Sequence, residues 1–246
     1  MKKGILIIPD VHGRDFWKKA VACKGFDKII FLGDYTDPYG FEGITTEVSV
    51  ENFKSIIAYK KQNPDKVVLL LGNHDLHYFS EYYYELAGGF RYNPLAATSL
   101  QRLFQDNHRL FQLAWETELS NRHIQFSHAG ITQSWLKRNL HLIMKPDAKH
   151  LNRLMQTNEG LEVLAQVGEM RGGGYPSGSM VWADVEELLI SNPIPNTYQI
   201  VGHSLQFDGP ILTDKFACLD CRAAFLLDDN GKIKPITNIP SYEKHY

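Results

Sequence analysis

Five short stretches of this chain end in residues that bind cations or move protons. "GILIIPDVHG" delivers Asp10 and His12, and "KIIFLGDYTD" delivers Asp34 and Asp37. "KVVLLLGNHD" delivers Asn73, His74 and Asp75, while "HIQFSHAG" and "YQIVGHS" lead into His128 and His203. Aspartate, asparagine and histidine without a thiolate form a hard-to-borderline ligand set, suited to Mn²⁺, Fe, Zn²⁺ or Co²⁺ rather than Cu(I). Carboxylates can bridge two ions. Paired cations about 3.5–4 Å apart clamp the attacking and leaving oxygens of phosphoryl transfer and lower the pKa of a shared water.

Each polar tip follows a short run of Ile, Val, Leu or Phe, the pattern of a strand buried on both faces. Functional groups of α/β sheets gather beyond the carboxyl ends of strands, so five such ends can build one polyvalent site. Turn chemistry explains one Asp or Asn at a strand end, but not five tips built from Asp, Asn and His alone. The intervening sequence reads as helical. Residues 46–63 place Val50, Phe53, Ile56 and Ile57 on one face, with Thr46 as cap. Leu95 to Trp115 reads as one or two helices with Leu100, Leu103, Phe104, Phe111 and Leu113 inward. Lys149 to Val167 reads as another, with Gly160 as its interruption. "AAFLLDDNGKIKPI" reads as a hairpin turning at Asp229-Asn230-Gly231.

Composition narrows the class. The chain has 246 residues, 43% hydrophobic and 22% charged, with a formal charge of −2. That size can bury a sizeable core, and the near-neutral charge argues against long nucleic acids and membrane surfaces as partners. No stretch approaches the roughly 20 apolar residues of a membrane span, and the run at Gly4–Ile8 is too short for a signal peptide. Three cysteines make a disulfide framework unexpected. Cys218-Leu219-Asp220-Cys221 is a lone C-x-x-C, read as strand alternation rather than a redox or zinc motif. A cytoplasmic protein is expected. No linker or repeat appears, so residues 1–246 are read as a single domain, with a helical insertion around 78–120.

In order and strand context, "DVHG", "GDYTDPYG", "GNHD", "SHAGI" and "VGHS" resemble the calcineurin-like metallophosphoesterase superfamily, most of all its phosphoprotein-phosphatase branch. The strand–helix alternation followed by a C-terminal hairpin leads to a mixed α/β fold of two packed sheets with helices outside, and the resemblance implies the same as a four-layer α/β/β/α sandwich. It also implies two divalent or trivalent metal ions, Mn²⁺ or Fe, with Zn²⁺ as a further option. Position by position, Asp10 and His12 would bind the first metal, Asp34 would bridge both, and Asn73, His128 and His203 would bind the second. His74 would be the general acid, with Asp37 orienting it, and a hydroxide bridging the metals would attack the phosphoester. Asp75 stands where the family has Glu, which implies a role in positioning the metal loop. Leu205 replaces a second histidine found in wider branches of the superfamily.

The resemblance implies a phosphorylated substrate, protein or small molecule. Phosphoserine or phosphothreonine is the nearest reading; dinucleoside polyphosphates and nucleotides are alternatives. A non-catalytic scaffold and a nuclease fit less well, the first because every ligand and the acid are present. The family's second motif carries an arginine where this chain has Pro38, and that arginine helps hold phosphate oxygens. Arg14, directly after "DVHG", and Arg171, ahead of "GGGYPSG", are the candidates to replace it, against the alternative of solvated surface arginines. Arg91 lies in a loop after the third motif. Asp184 of "SMVWADVEEL" either lies near the site or caps a helix over 185–190. The aromatics of residues 76–92 read as packing rather than as a groove wall, and His77 as a packing or surface residue.

Overall fold

The structure is a computed structural model that describes residues 4–23, 25–89 and 91–240. The chain begins with β1 (Gly4–Ile8), α1 (Phe16–Ala22), β2 (Lys28–Phe31), α2 (Thr46–Gln62) and β3 (Val67–Leu70). Three helices follow: α3 (Asn73–Phe79), α4 (Glu81–Ala87) and α5 (Pro94–Asp106). Next come β4 (Phe111–Gln112), β5 (Ala114–Leu119), β6 (Arg122–Ser127), α6 (Gln133–Arg138), α7 (Ala148–Leu151), α8 (Asn158–Leu164) and α9 (Val185–Ile190). The last strands are β7 (Tyr198–Val201), β8 (Ile211–Leu212), β9 (Phe216–Cys218), β10 (Phe225–Asp228) and β11 (Ile233–Pro235).

Among the described residues these strands form two mixed sheets. One has the order β11-β10-β1-β2-β3-β4 and the other β5-β6-β7-β9-β8. In the first, β1 through β4 are parallel neighbours and β10 runs antiparallel to β1. In the second, β6, β7 and β9 are parallel while β5 and β8 are antiparallel edges. The two-residue strand period sorts β1 between two cores. Ile5 and Ile7 join Ile30, Leu70, Phe126 and Ile200 between the sheets. Leu6 and Ile8 face outward, into the layer that holds Trp17, Phe53, Ile56 and Phe104 from the helices. On the far side α9 lays Val185 and Leu188 on Val201 and Phe216. The layering is helix, sheet, sheet, helix, and the two-sheet α/β expectation holds.

The hairpin forms as expected: Gly231 donates its N–H to the Asp228 carbonyl at 2.8 Å, between β10 and β11. Three local expectations need correction. The helix of residues 46–63 is capped by Thr45, whose side chain accepts from Val48 N, not by Thr46. The helix read from Leu95 to Trp115 stops at Asp106. Residues Phe111 onward are strand, so the helical stretch placed around 78–120 ends before 111. Tertiary pairing decides this: Ala114–Leu119 pair with Ser127–Arg122 of β6, and the Asn152 side chain clasps Leu113 N, Ala114 N and Ala114 O. The same Asn152 closes α7, and Thr157 caps a separate α8 through Gly160 N, so residues 149–167 are broken helix rather than one helix. The break falls before Gly160. That glycine lies inside α8, where a Cβ would meet the Leu154 carbonyl at 2.0 Å.

Candidate metal centre and active site

β1, β2, β3, β6 and β7 all end at the same edge of the paired sheets, and their tips meet there. Asp10, His12, Asp34, Asn73, His128 and His203 are all buried. Two groups of possible ligand atoms lie within 4.8 Å of one another: Asp10, His12 and Asp34, and Asp34, His128 and His203. Asp34 belongs to both. Its Oδ2 lies 3.6 Å from His12 Nε2 and 3.4 Å from His128 Nε2. Asn73 Oδ1 is 3.1 Å from His128 Nε2.

The backbone presets these side chains. His12 Nδ1 donates to the Thr36 carbonyl at 2.8 Å and His128 Nδ1 to the Leu32 carbonyl at 2.9 Å. Each bond fixes the ring and turns Nε2 toward the cluster, where it can hold a proton or a cation, the usual arrangement of a metal-binding histidine. His128 Nε2 also stands 3.1 Å from His203 Nδ1. Two ring nitrogens set that close fit a shared cation, and His203 Nε2 is itself buried without a hydrogen-bond partner. His203 N donates to both Asp10 carboxylate oxygens, and His74 N to Asp34 Oδ1. His12, Asp34, Asp37 and His203 all adopt positive φ, from 44° to 65°. Such backbone is strained for non-glycine residues and collects where surrounding structure enforces it. At Gly72 a Cβ would fall 2.1 Å from Asp34 Oδ1, and at Gly202 2.1 Å from Asp10 Oδ1, so only glycine leaves these carboxylates in place.

Charge in the cluster is strongly polarised. Burial opposes ionisation of Asp34, yet His128 and His74 beside it hold its carboxyl well below the usual carboxylate range. Burial also opposes charge on His128, but Asp34 and Asp10 hold its pKa up at about 10. Burial pushes Asp10 up and His12 and His203 down. A carboxylate held ionised among buried histidine nitrogens is an environment that a divalent cation can occupy in place of a proton.

A second network flanks the cluster. His74 Nδ1 bonds Asp37 Oδ2 at 3.0 Å, and Tyr78 OH donates to Asp37 Oδ1 at 2.6 Å. Asp75 accepts three backbone N–H groups, from Asp34 and Gly72 on Oδ2 and from Tyr35 on Oδ1, at 2.6, 2.8 and 2.9 Å. It staples the β2 loop to the β3 loop. Among the arginines, Arg171 is tied to Asp184 Oδ2 at 2.8 Å and to Ser204 Oγ at 2.7 Å. Arg14 is tied to Glu42 at 3.0 Å and to the Asp10 carbonyl. Among the described residues, the guanidinium on the histidine ring nitrogens of the site is that of Arg91, 2.9 Å from His74 Nε2 and 3.5 Å from His12 Nε2. Asp184 caps α9 through Glu186 N while also holding Arg171. Trp182 packs edge-on to His203 and donates to Tyr83 OH.

Sequence reasoning named Arg91 without assigning it and passed over Tyr78, whose signal is its place one helical turn after His74. Asp220 was also passed over. It is buried with both oxygens unpartnered, and burial and Asp10 push its pKa up. Cys218 and Cys221 are buried free thiols, and burial pushes Cys221 to about 12, which suits packing rather than redox chemistry. Tyr78 and Tyr83 are core residues and Tyr92 stacks on Tyr78, so the described aromatics of residues 76–92 are mainly packing. Phe90 lies outside the described residues.

Comparison with known proteins agrees with this geometry. A probable serine/threonine-protein phosphatase of Encephalitozoon cuniculi is 28% identical over 218 residues, 85% of this chain and 46% of that protein. The serine/threonine-protein phosphatase 4 catalytic subunit of Kluyveromyces lactis is 34% identical over 83 residues, 32% of this chain and 25% of that protein. The chain thus spans less than half the length of the curated relatives it matches. In fold it is similar to a cold-active protein-tyrosine phosphatase of a psychrophilic Shewanella species, at TM-score 0.60 and 16% identity, over 96% of this chain and 81% of that one. The sequence model of the calcineurin-like phosphoesterase family matches residues 4–206, five strand tips included, and the chain belongs to that family.

Proposed function

We propose that this chain is a metal-dependent phosphatase that hydrolyses phosphomonoesters. Asp10, His12 and Asp34 would hold one cation, and Asp34, Asn73, His128 and His203 a second, with Mn²⁺ or Fe preferred and Zn²⁺ also suited to the set. The observation that carries this reading is Asp34 Oδ2 standing 3.6 and 3.4 Å from two histidine nitrogens whose other ring nitrogens are already committed to carbonyls. Bound there, the ions would supply hydroxide near neutral pH and neutralise phosphoryl oxygens.

The protein's own part is the proton. As the P–O bond to the leaving group breaks, the leaving oxygen takes a proton from His74 Nε2. Asp37, 3.0 Å from Nδ1, fixes the ring and balances its positive charge. His74 takes that proton from water once substrate is bound, and the hydroxide left behind bonds to phosphorus. The names of the relatives support a phosphoprotein substrate. We also read the chain as one domain, since the site draws ligands from both sheets, and its location as cytoplasmic, as for an enzyme acting on phosphoproteins. A panel of phosphopeptides, dinucleoside polyphosphates, nucleotides and an aryl phosphate, assayed with Mn²⁺, tests the function. Mn²⁺-dependent release of phosphate from phosphopeptide and aryl phosphate is expected. Inertness toward the whole panel with Mn²⁺, Fe²⁺ and Zn²⁺ would refute it.

A further inference from the structure

Arg91 enters the site from outside the five strand tips. It lies ahead of α5 with left-handed backbone, φ +59°, a conformation that persists only where neighbours enforce it. Its Nη2 reaches the Nε2 atoms of His74 and His12. Its guanidinium carbon lies 3.9 Å from the centre of the Tyr39 ring, which stands edge-on to His12. Its Nε and Nη1 are buried and have no hydrogen-bond partner. A stacked guanidinium with unused donors, set against the metal-cluster His12 and the proton-moving His74, matches two oxygens of a tetrahedral anion.

Tyr78 fastens this arrangement. It shares a face of α3 with His74, one turn away. Its hydroxyl donates to Asp37 Oδ1 at 2.6 Å and accepts from Asn93 N at 2.9 Å, two residues beyond Arg91. Its ring stacks on Tyr92 at 5.0 Å and 16°. One hydroxyl therefore joins the carboxylate that orients His74 to the backbone that carries Arg91.

We propose that Arg91 is the oxyanion clamp of this site and that Tyr78 is a positioning residue locking the clamp to the His74–Asp37 pair. This rests on the phosphatase reading above. Without substrate, Arg91 donates to the His74 Nε2 lone pair. A phosphoryl group draws the guanidinium onto two of its oxygens, and Nε2 is freed to take a proton from water and pass it to the leaving oxygen as the P–O bond breaks. Pro38 removes an arginine from the second motif, and a residue from a different loop takes up the oxygens.

The test compares Arg91→Ala, Arg91→Lys and Tyr78→Phe with wild type after Mn²⁺ loading. It reads bound Mn²⁺, inorganic phosphate affinity by calorimetry, and kcat/KM for aryl phosphates of graded leaving-group pKa. All variants should keep wild-type Mn²⁺. Arg91→Ala should weaken phosphate binding and lower kcat/KM about 100- to 1,000-fold for every leaving group. Arg91→Lys should recover only part, since an ammonium cannot fork. Tyr78→Phe should lose about 10- to 100-fold, the equivalent of one hydrogen bond to a charged group, and lose most with the poorest leaving groups. Unchanged phosphate affinity and turnover in Arg91→Ala would overturn the clamp. A Tyr78→Phe loss independent of leaving group, or confined to a lower Tm, would overturn the lock. If Arg91→Ala fails to fold, Arg91→Gln and Arg91→Lys carry the same comparison. A wild type inert toward every aryl phosphate would instead overturn the phosphatase reading itself.

Discussion

Replacing Asp75 with asparagine should loosen the metal cluster without removing a single ligand. Asp75 is fully buried, and its two oxygens accept the N–H groups of Asp34, Gly72 and Tyr35. An amide keeps one oxygen. With that oxygen on Asp34 and Gly72, the amide nitrogen faces Tyr35 N, so one hydrogen bond is lost and two donors are buried against each other. Burial and then Asp34 push the Asp75 pKa up, so the lost bond is counted at about 0.5–1.5 kcal/mol, and each of the two donors left unsatisfied costs about 1–3 kcal/mol. A loss of about 3 kcal/mol follows, even after local relaxation. At roughly 2–4 °C per kcal/mol for a chain of this size, Tm should fall by about 6–12 °C. The same N–H groups hold the loops that carry Asp34 and Asn73, so Mn²⁺ affinity should fall about 10- to 100-fold. Thermal unfolding followed by circular dichroism, with and without Mn²⁺, and calorimetric Mn²⁺ titration measure both. A Tm within about 2 °C of wild type together with unchanged Mn²⁺ affinity would refute the staple.

Other outcomes follow from single contacts. His77 is buried with neither ring nitrogen hydrogen-bonded, and burial, then His74, pushes its pKa down to about 3. The unfolded chain takes up the proton near pH 6.5 and the folded one does not. Stability from this residue is therefore intact above pH 6.5 and lost as pH falls toward 3, by about 2 kcal/mol between pH 7 and pH 5. In urea unfolding of the metal-free protein, His77→Leu should lose correspondingly less than wild type over that interval; equal losses would contradict the assignment. Gly202→Ala would put a Cβ 2.1 Å from Asp10 Oδ1, and the carboxylate is what can yield. That variant should fold yet retain less Mn²⁺ after dialysis, and full retention would show that the cradle tolerates a methyl group.

The strand tips were legible because polar ligand types interrupt apolar runs at a repeated place, and a buried parallel strand leaves few other readings of such runs. The two-sheet layering was legible from the order of elements, strands alternating with helices and then a hairpin, rather than from periodicity, since β1 is apolar at both its even and odd positions. The stretch Leu95–Trp115 misled because Phe111 and Leu113 suit a helical stripe and a strand face equally; Asn152 and pairing with β6, both distant in sequence, decide for strand. Arg91 was out of reach for a related reason. Its approach to His74 depends on left-handed backbone and on a hydroxyl one turn along α3, neither of which its own neighbours in the sequence announce.

The most direct test pairs two variants in one experiment, reading bound Mn²⁺ and aryl phosphate turnover together. Asp34→Asn should lose metal and activity in step, because Asp34 stands between both ligand groups. His74→Asn should lose most turnover while keeping wild-type metal, because the His74 ring bonds Asp37 and Arg91, while its contact with the ligand Asp34 is a backbone N–H that the substitution keeps. An Asp34→Asn protein with full metal and full activity, or a His74→Asn protein that releases its metals, would contradict the division between metal-holding and proton-moving residues.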